Sequence, residues 1–274
     1  QMWTILSHLQ ANESCRQLAI NFTQHSLKRL QKWLAPLKLD VNTIDVKRCS
    51  FHLPLHRYYS TFLHHPVTVQ NIPLDDLLPR DTYELKCLII HPLQTLIAFQ
   101  HIMANLWMGN GLEIRTQALN YMQPHFCNST IDADTFLIQQ VATRLKPDTF
   151  IHLLATSYGL KQYMHVYPML NDPIDPDKVA AFLENFWHLL AMIVTQQINL
   201  EVDTTKATRK EMVTLLSVSE KTHSQIHDAL PNVSNSRRLS NNSFTDILND
   251  IAEYKSPEVE ASGSLGMMSV CETF

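Results

Sequence analysis

Apolar residues recur along this chain at threes and fours, and that spacing predicts helices over most of its length. Two helices are expected between Met2 and Ala35. Leu18 and Phe22 lie four apart, Leu27, Leu30, Trp33 and Leu34 continue the pattern, and Pro36 closes it. Residues 37–50 alternate loosely through Leu39, Val41, Ile44 and Val46 and are expected to hold a short strand. Pro54 suits the first turn of a helix running to about His64. Asp75–Leu78 and Arg80–Ile90 read as helical. Pro92 is expected to restart a helix through Leu93, Leu96, Ile97, Phe99, Ile102, Met103, Leu106 and Trp107, with Gly109-Asn110-Gly111 as its left-handed stop. Further helices are expected at about Gln117–Phe126, Asp134–Arg144, Pro147–Tyr158 and Asp177–Leu200. The last places Phe182, Phe186, Leu189, Leu190 and Ile193 on one face, with Asp175 or Asp177 as N-cap.

From Ala207 the pattern shortens. Arg209–Leu216, Glu220–Leu230 and Phe244–Tyr254 are amphipathic, and the polar run Pro231–Asn242 separates the last two. Three short helices in so little chain fit a winged-helix module. Gly263–Met268 looks loose. The fold class expected is therefore mainly α: an irregular helical bundle or scaffold over 1–204, a small winged-helix (α+β) module over 205–258, and a flexible tail over 259–274. No internal repeat is evident at the 30–45-residue periods of helical solenoids.

Composition narrows the function classes. At 274 residues and 45% hydrophobic the chain can build a real core, and five glycines leave few sites for the tight turns of an all-β fold. A net charge of −4 gives no global attraction to nucleic acid or anionic membrane. Cys15, Cys49, Cys87, Cys127 and Cys271 are an odd, widely spaced set without a CxxC, which fits a reducing compartment. The longest apolar stretch of the most hydrophobic helix, Leu189–Val194, is far short of the roughly 20 residues a membrane span needs. Beginning at Gln1, the chain reads as a piece of something longer.

Candidate chemistry is thin. Cys49, His52 and His56, with His64 and His65 nearby, form C-x2-H-x3-H, but a second cysteine pair is missing and Pro54 separates the histidines. Structural zinc sites close with four ligands, so packed or exposed histidines are the better reading. No GxSxG, GxGxxG or GxxxxGK[ST] occurs, and Asp75-Asp76 and Asp172–Asp177 read as caps and solvated turns. A winged helix can enter a DNA groove, yet its third helix here carries Asp246, Asp250 and Glu253, which would repel phosphates. Trp187 with Phe182 and Phe186 is a core stripe rather than a cofactor box. No catalytic, cofactor-binding or metal-ligating residue is assigned. Phe51, Leu53 and Leu55 are expected to pack the helical block, with Phe51→Ala costing about 3–5 kcal/mol.

At Ser50–Arg57, SFHLPLHR, the chain resembles the middle segment of the UBR family of ubiquitin ligases, the N-recognins. The likeness continues through Ile90–Gln94, Asn105-Leu106-Trp107, Gly109-Asn110-Gly111, Tyr121, His125–Asn128 and Asp132–Phe136. It reaches the closing module at Thr222-His223-Ser224 and Leu230-Pro231, covering about Arg48 to Pro257. HRYYSTFL and HFCNSTIDAD resemble the third, divergent branch most.

The resemblance implies a RING-type E3 ubiquitin ligase of the N-degron pathway as the parent protein. Such a parent carries a zinc-binding recognition box, a helical scaffold, a winged helix and a zinc-binding RING. It is partnered by an E2 ubiquitin-conjugating enzyme and substrate proteins, and it works in the cytoplasm and also the nucleus. Only scaffold and winged helix match here, so no zinc ligand or degron-binding residue carries over. The residues alone leave a second reading open: a helical protein-interaction adaptor without ubiquitin chemistry.

Overall fold

The computed structural model describes residues 13–41, 49–68, 70–107, 111–123, 127–164, 176–195, 204–230, 241–255 and 267–270. The chain divides into two compact units, Gln1–Gln196 and Gln197–Phe274. Described residues are mainly helical. The first unit holds α1 (Glu13–Leu34), α2 (Pro54–Thr68), α3 (Thr82–Met103), α4 (Gly111–Tyr121), α5 (Ile131–Ala142), α6 (Pro147–Ser157) and α7 (Pro176–Thr195). None of the described helices is long and apolar enough to cross a membrane.

The middle of this unit is α3. Fourteen of its 22 residues are buried, so it is apolar nearly all round, as a helix enclosed by others must be. Asp81 opens it by accepting a hydrogen bond from the Glu84 N–H at 3.0 Å. α1 lies on α2, α2 and α3 on α5, α3 also on α4, and α7 on α3 and α5. Leu30, Leu63, Leu88, Leu93, Leu96, Leu137 and Leu154 fill the space between them.

Two prolines lie inside helices, and the first was expected to open one. Pro92 sits within α3, which runs unbroken from Thr82 to Met103 instead of restarting there. An interior proline costs about 3 kcal/mol. Burial of Ile89, Ile90, Leu93, Leu96 and Ile97 on both sides of it outweighs that cost. Pro66 sits within α2, which continues past His64 to Thr68. Pro66 has no N–H for the Phe62 carbonyl, and the Thr23 hydroxyl of α1 donates to that carbonyl instead at 2.7 Å. Thr23 and Phe62 are both fully buried, so this bond replaces the lost one and ties α1 to α2.

The left-handed stop after α3 is Asn105 (φ 58°), not Gly109-Asn110-Gly111. Leu106 N–H returns to the His101 carbonyl at 2.8 Å, the six-residue closure of a helix end. Gly111 instead opens α4, six residues earlier than the helix expected from Gln117. Gly109 and Asn110 lie outside the described residues, as do His125 and Phe126, the Asp175 cap and residues 42–48 of the strand expected over 37–50, whose described residues 37–41 and 49–50 hold no strand. The first of the two opening helices also falls outside them over residues 1–12.

The second unit holds α8 (Thr204–Val218), α9 (His223–Ala229), α10 (Asn241–Ile251) and an antiparallel pair, β1 (Ala252–Lys255) with β2 (Met267–Val270). Met212, Leu216, Ile226, Phe244, Leu248 and Ile251 form its separate core. Thr222 and Gln225 cap α9 reciprocally at 3.2 and 2.9 Å, a full capping box. Residues 252–254 were expected to continue a helix but begin the strand, and residues 267–270 of the expected tail are its partner, with Ala252 opposite Val270. A four-residue strand is invisible to helical periodicity when its partner is a dozen residues downstream.

Candidate functional site

Residues from three of the phrases that carry the family resemblance lie far apart in sequence and meet in the first unit. From α2, Arg57 donates through Nε and Nη2 to the two carboxylate oxygens of Asp134 on α5, at 3.2 and 3.0 Å. The Tyr121 hydroxyl, at the end of α4, donates to Asp134 Oδ2 at 2.8 Å. The Arg57 guanidinium also lies 5.4 Å from the Tyr121 ring centroid. The Ser60 hydroxyl donates to the Ala133 carbonyl at 2.6 Å, and the Thr130 hydroxyl to the Tyr121 carbonyl at 2.7 Å. Phe51 and Phe99 cover the Tyr121 ring at 5.3 and 5.6 Å.

This is a buried lock joining α2, α4 and α5. The Asp134 side chain is 1% exposed and that of Arg57 12%. Burial raises the Asp134 carboxyl above the usual carboxylate range, while Arg57 and Tyr121 pull it back down. Tyr121 is pushed well above its ordinary value by burial and by the carboxylate beside it, so it remains a neutral donor. All three groups are engaged by one another.

A second constellation joins α1, α2 and α3. The rings of Trp33, His56 and His91 form a triangle with centroids 5.8, 5.4 and 5.3 Å apart. Burial drives His56 down to about 3, with His91 and Arg57 adding to the effect, and lowers His91 as well. Both are therefore neutral at physiological pH.

Of the C-x2-H-x3-H residues, His56 is in this triangle, His52 is exposed, and Cys49 is half-buried. Burial raises the Cys49 thiol, which leaves it a poor nucleophile and a poor ligand. His64 stands edge-on to Phe136 at 4.9 Å, and His65 is buried with a lowered pKa. Among the described residues no three of His, Cys, Asp and Glu are grouped so as to hold a metal ion.

In the second unit, His223, Ser224, His227, Asp228, Phe244 and Thr245 line a concavity of about 510 Å³. His223 and His227 stand edge-on to the Phe244 ring at 5.0 and 5.5 Å. The sequence reading named none of these as a site, although the i, i+4 spacing of the two histidines already placed them on one face. Arg209–Asp250 and Lys255–Glu220 are exposed ion pairs of the same unit.

Comparison with known proteins agrees with this geometry. A family model described as a UBR1/2/3-like ARM repeat domain matches residues 14–189. A second, described as an E3 ubiquitin-protein ligase UBR1-like winged-helix domain, matches residues 207–271. The chain is 34% identical over 268 residues to human E3 ubiquitin-protein ligase UBR3, covering 96% of the chain and 14% of that protein. It is 35% identical over 266 residues to Drosophila melanogaster Ubr3, covering 96% of the chain and 12% of that relative. Identity to human UBR1 is 23% over 267 residues, or 94% of the chain and 15% of that protein. The chain thus spans about a seventh of the length of human UBR3. The ARM repeat description comes from the family model, while the helices it covers have unequal lengths of 22, 15, 22, 11 and 12 residues, in keeping with the absence of an evident period in the sequence. Matched over most of its length by the two family models, the chain belongs to the UBR family of E3 ubiquitin-protein ligases, as an ARM-repeat segment followed by a UBR1-like winged helix.

Proposed function

We propose that this chain is a non-catalytic scaffold segment of a RING-type E3 ubiquitin-protein ligase, holding apart the modules that bind substrate and E2 so that ubiquitin passes between them. The observation that carries this reading is the Arg57–Tyr121–Asp134 lock, which uses its polar groups on one another and stiffens three helices. Ubiquitin transfer needs E2 and substrate held at a fixed separation, which raises effective concentration. A rigid helical block supplies that separation without touching the reacting atoms.

Zinc then belongs to the recognition box and RING elsewhere in the parent, and E2 and substrate proteins are partners of those modules. Nucleic acid is not a partner in this reading, because Asp246, Asp250 and Glu253 are all exposed on or just after α10. Degradation of ubiquitinated proteins in the cytoplasm, and also the nucleus, is the process served.

The test uses the full-length parent ligase with Arg57→Ala. Substrate ubiquitination is expected to fall at least tenfold, while discharge of the E2~ubiquitin thioester onto free lysine stays unchanged. Equal loss of both would place this segment in the catalytic machinery. A parent with no E2-dependent activity would leave a helical adaptor.

A further inference from the structure

The Trp33–His56–His91 triangle has no role in the scaffold reading. His56 is 1% exposed, and its Nε2 has no hydrogen-bond partner; neither has the buried His91 Nδ1. Two imidazoles therefore face each other at 5.3 Å with ring nitrogens unsatisfied inside a three-helix joint. Each helix contributes one ring: α1 brings Trp33 from its last turn, α2 His56, and α3 His91. Nearby in the same helices, Leu30 and Leu34 anchor the end of α1 in the core.

The charged surroundings offer a proton little shelter. On α2, Arg57 disfavours a charge on His56. On α1, Arg29 and Lys32 are exposed cations. On α3, Glu84 lies two turns before His91 and accepts from Gln31 of α1 at 3.2 Å. The segment ahead of α2 adds Cys49 and the exposed His52.

We propose that this joint is an acid-sensitive latch: protonating the His56–His91 pair loosens the C-terminal half of α1 from α2 and α3. Two adjacent cations, one on the buried His56 and one on the half-buried His91, repel each other and must be hydrated, which requires the helices to part. The sign follows from linkage. Both histidines are held neutral in the closed form, so the open form binds more protons, and closure weakens as pH falls below about 6.5. For His56 the window extends down to about 3. At pH 5.0 release of His56 favours opening about 30-fold, and His91, which burial also lowers, adds to it in the same direction.

Native-state hydrogen exchange of the 274-residue chain at pH 7.5 and 5.0, corrected for intrinsic exchange, reads this directly at amides 28–34. Their protection should fall at least tenfold at pH 5.0, and His56→Phe/His91→Phe should make it insensitive to pH. No fall in the wild type, or the same fall in the double variant, overturns the latch. Should the variant not fold, imidazole nitrogen spectra of the wild type decide. Two rings neutral at pH 5.5 in the folded chain sustain it, and either ring titrating near 6.5 refutes it.

Discussion

Replacing Arg57 with methionine keeps most of the side-chain volume and removes the cation from Asp134. The carboxyl is 1% exposed and would keep only the Tyr121 hydroxyl as a side-chain donor. Breaking a buried ion pair from one side costs about 3–5 kcal/mol. An independent bound agrees. The stranded carboxylate can neutralise itself by binding a proton, and from an unfolded value of about 3.9 this costs about 4 kcal/mol at pH 7. Proton uptake therefore caps the penalty near the middle of the measured range.

That cap makes the penalty depend on pH. Asp134 is already raised by burial, and losing Arg57 raises it further, so the folded variant binds the proton that the unfolded chain releases. Stability of Arg57→Met relative to wild type should therefore rise as pH falls from 7.5 toward 4, by up to about 1.4 kcal/mol per unit. Taking the difference from wild type cancels the buried histidines, which pull the other way. Two compact units make a single global melt ambiguous, so hydrogen exchange at α2 and α5 amides is the assay. Arg57→Met/Asp134→Leu should recover much of the loss, leaving about 1–3 kcal/mol for the Tyr121 hydroxyl without its acceptor. A single variant within 1 kcal/mol of wild type, or a difference that does not change with pH, would refute the lock.

Phe62→Ala should destabilise the first unit by about 3–5 kcal/mol in a denaturant titration, because Phe62 is fully buried against Phe22 and Tyr58. Phe51→Ala should cost about half that, less than the sequence alone implied, because Phe51 is only partly buried over Tyr121. Thr23→Val leaves the Phe62 carbonyl without its hydroxyl donor and should cost about 1–3 kcal/mol, measured as faster exchange in α1 and α2. Thr222→Ala removes one half of the capping box on α9 and should lower second-unit stability by about 0.5–2 kcal/mol, with first-unit exchange unchanged.

Helix existence was legible wherever burial is one-sided. The face of Phe182, Phe186, Leu189, Leu190 and Ile193 lies in or against the core as its periodicity required. Legibility failed where tertiary packing overrode local rules. Pro92 and Pro66 look like breaks because a single sequence shows the lost N–H and hides the apolar burial around Pro92 and the Thr23 hydroxyl beside Phe62. Asn105 rather than a glycine took the left-handed position, which asparagine tolerates better than most residues. The lock could not be read at all. Arg57 and Asp134 are 77 residues apart, and nothing in either neighbourhood marks its partner.

The same contrast explains why the resemblance concentrates where it does. Apolar core positions such as Leu88 or Leu96 accept other residues of similar volume at modest cost. Arg57, Tyr121 and Asp134 cannot be exchanged singly, because each change strands a buried polar partner. Arg57 closes SFHLPLHR, Tyr121 stands alone at the end of α4, and Asp134 lies within Asp132–Phe136. A motif built on such constraints identifies how the scaffold is braced and says nothing about reacting groups. Bracing can be as specific in sequence as catalysis when it is made from buried charge, because each member of the lock needs the others to stay satisfied.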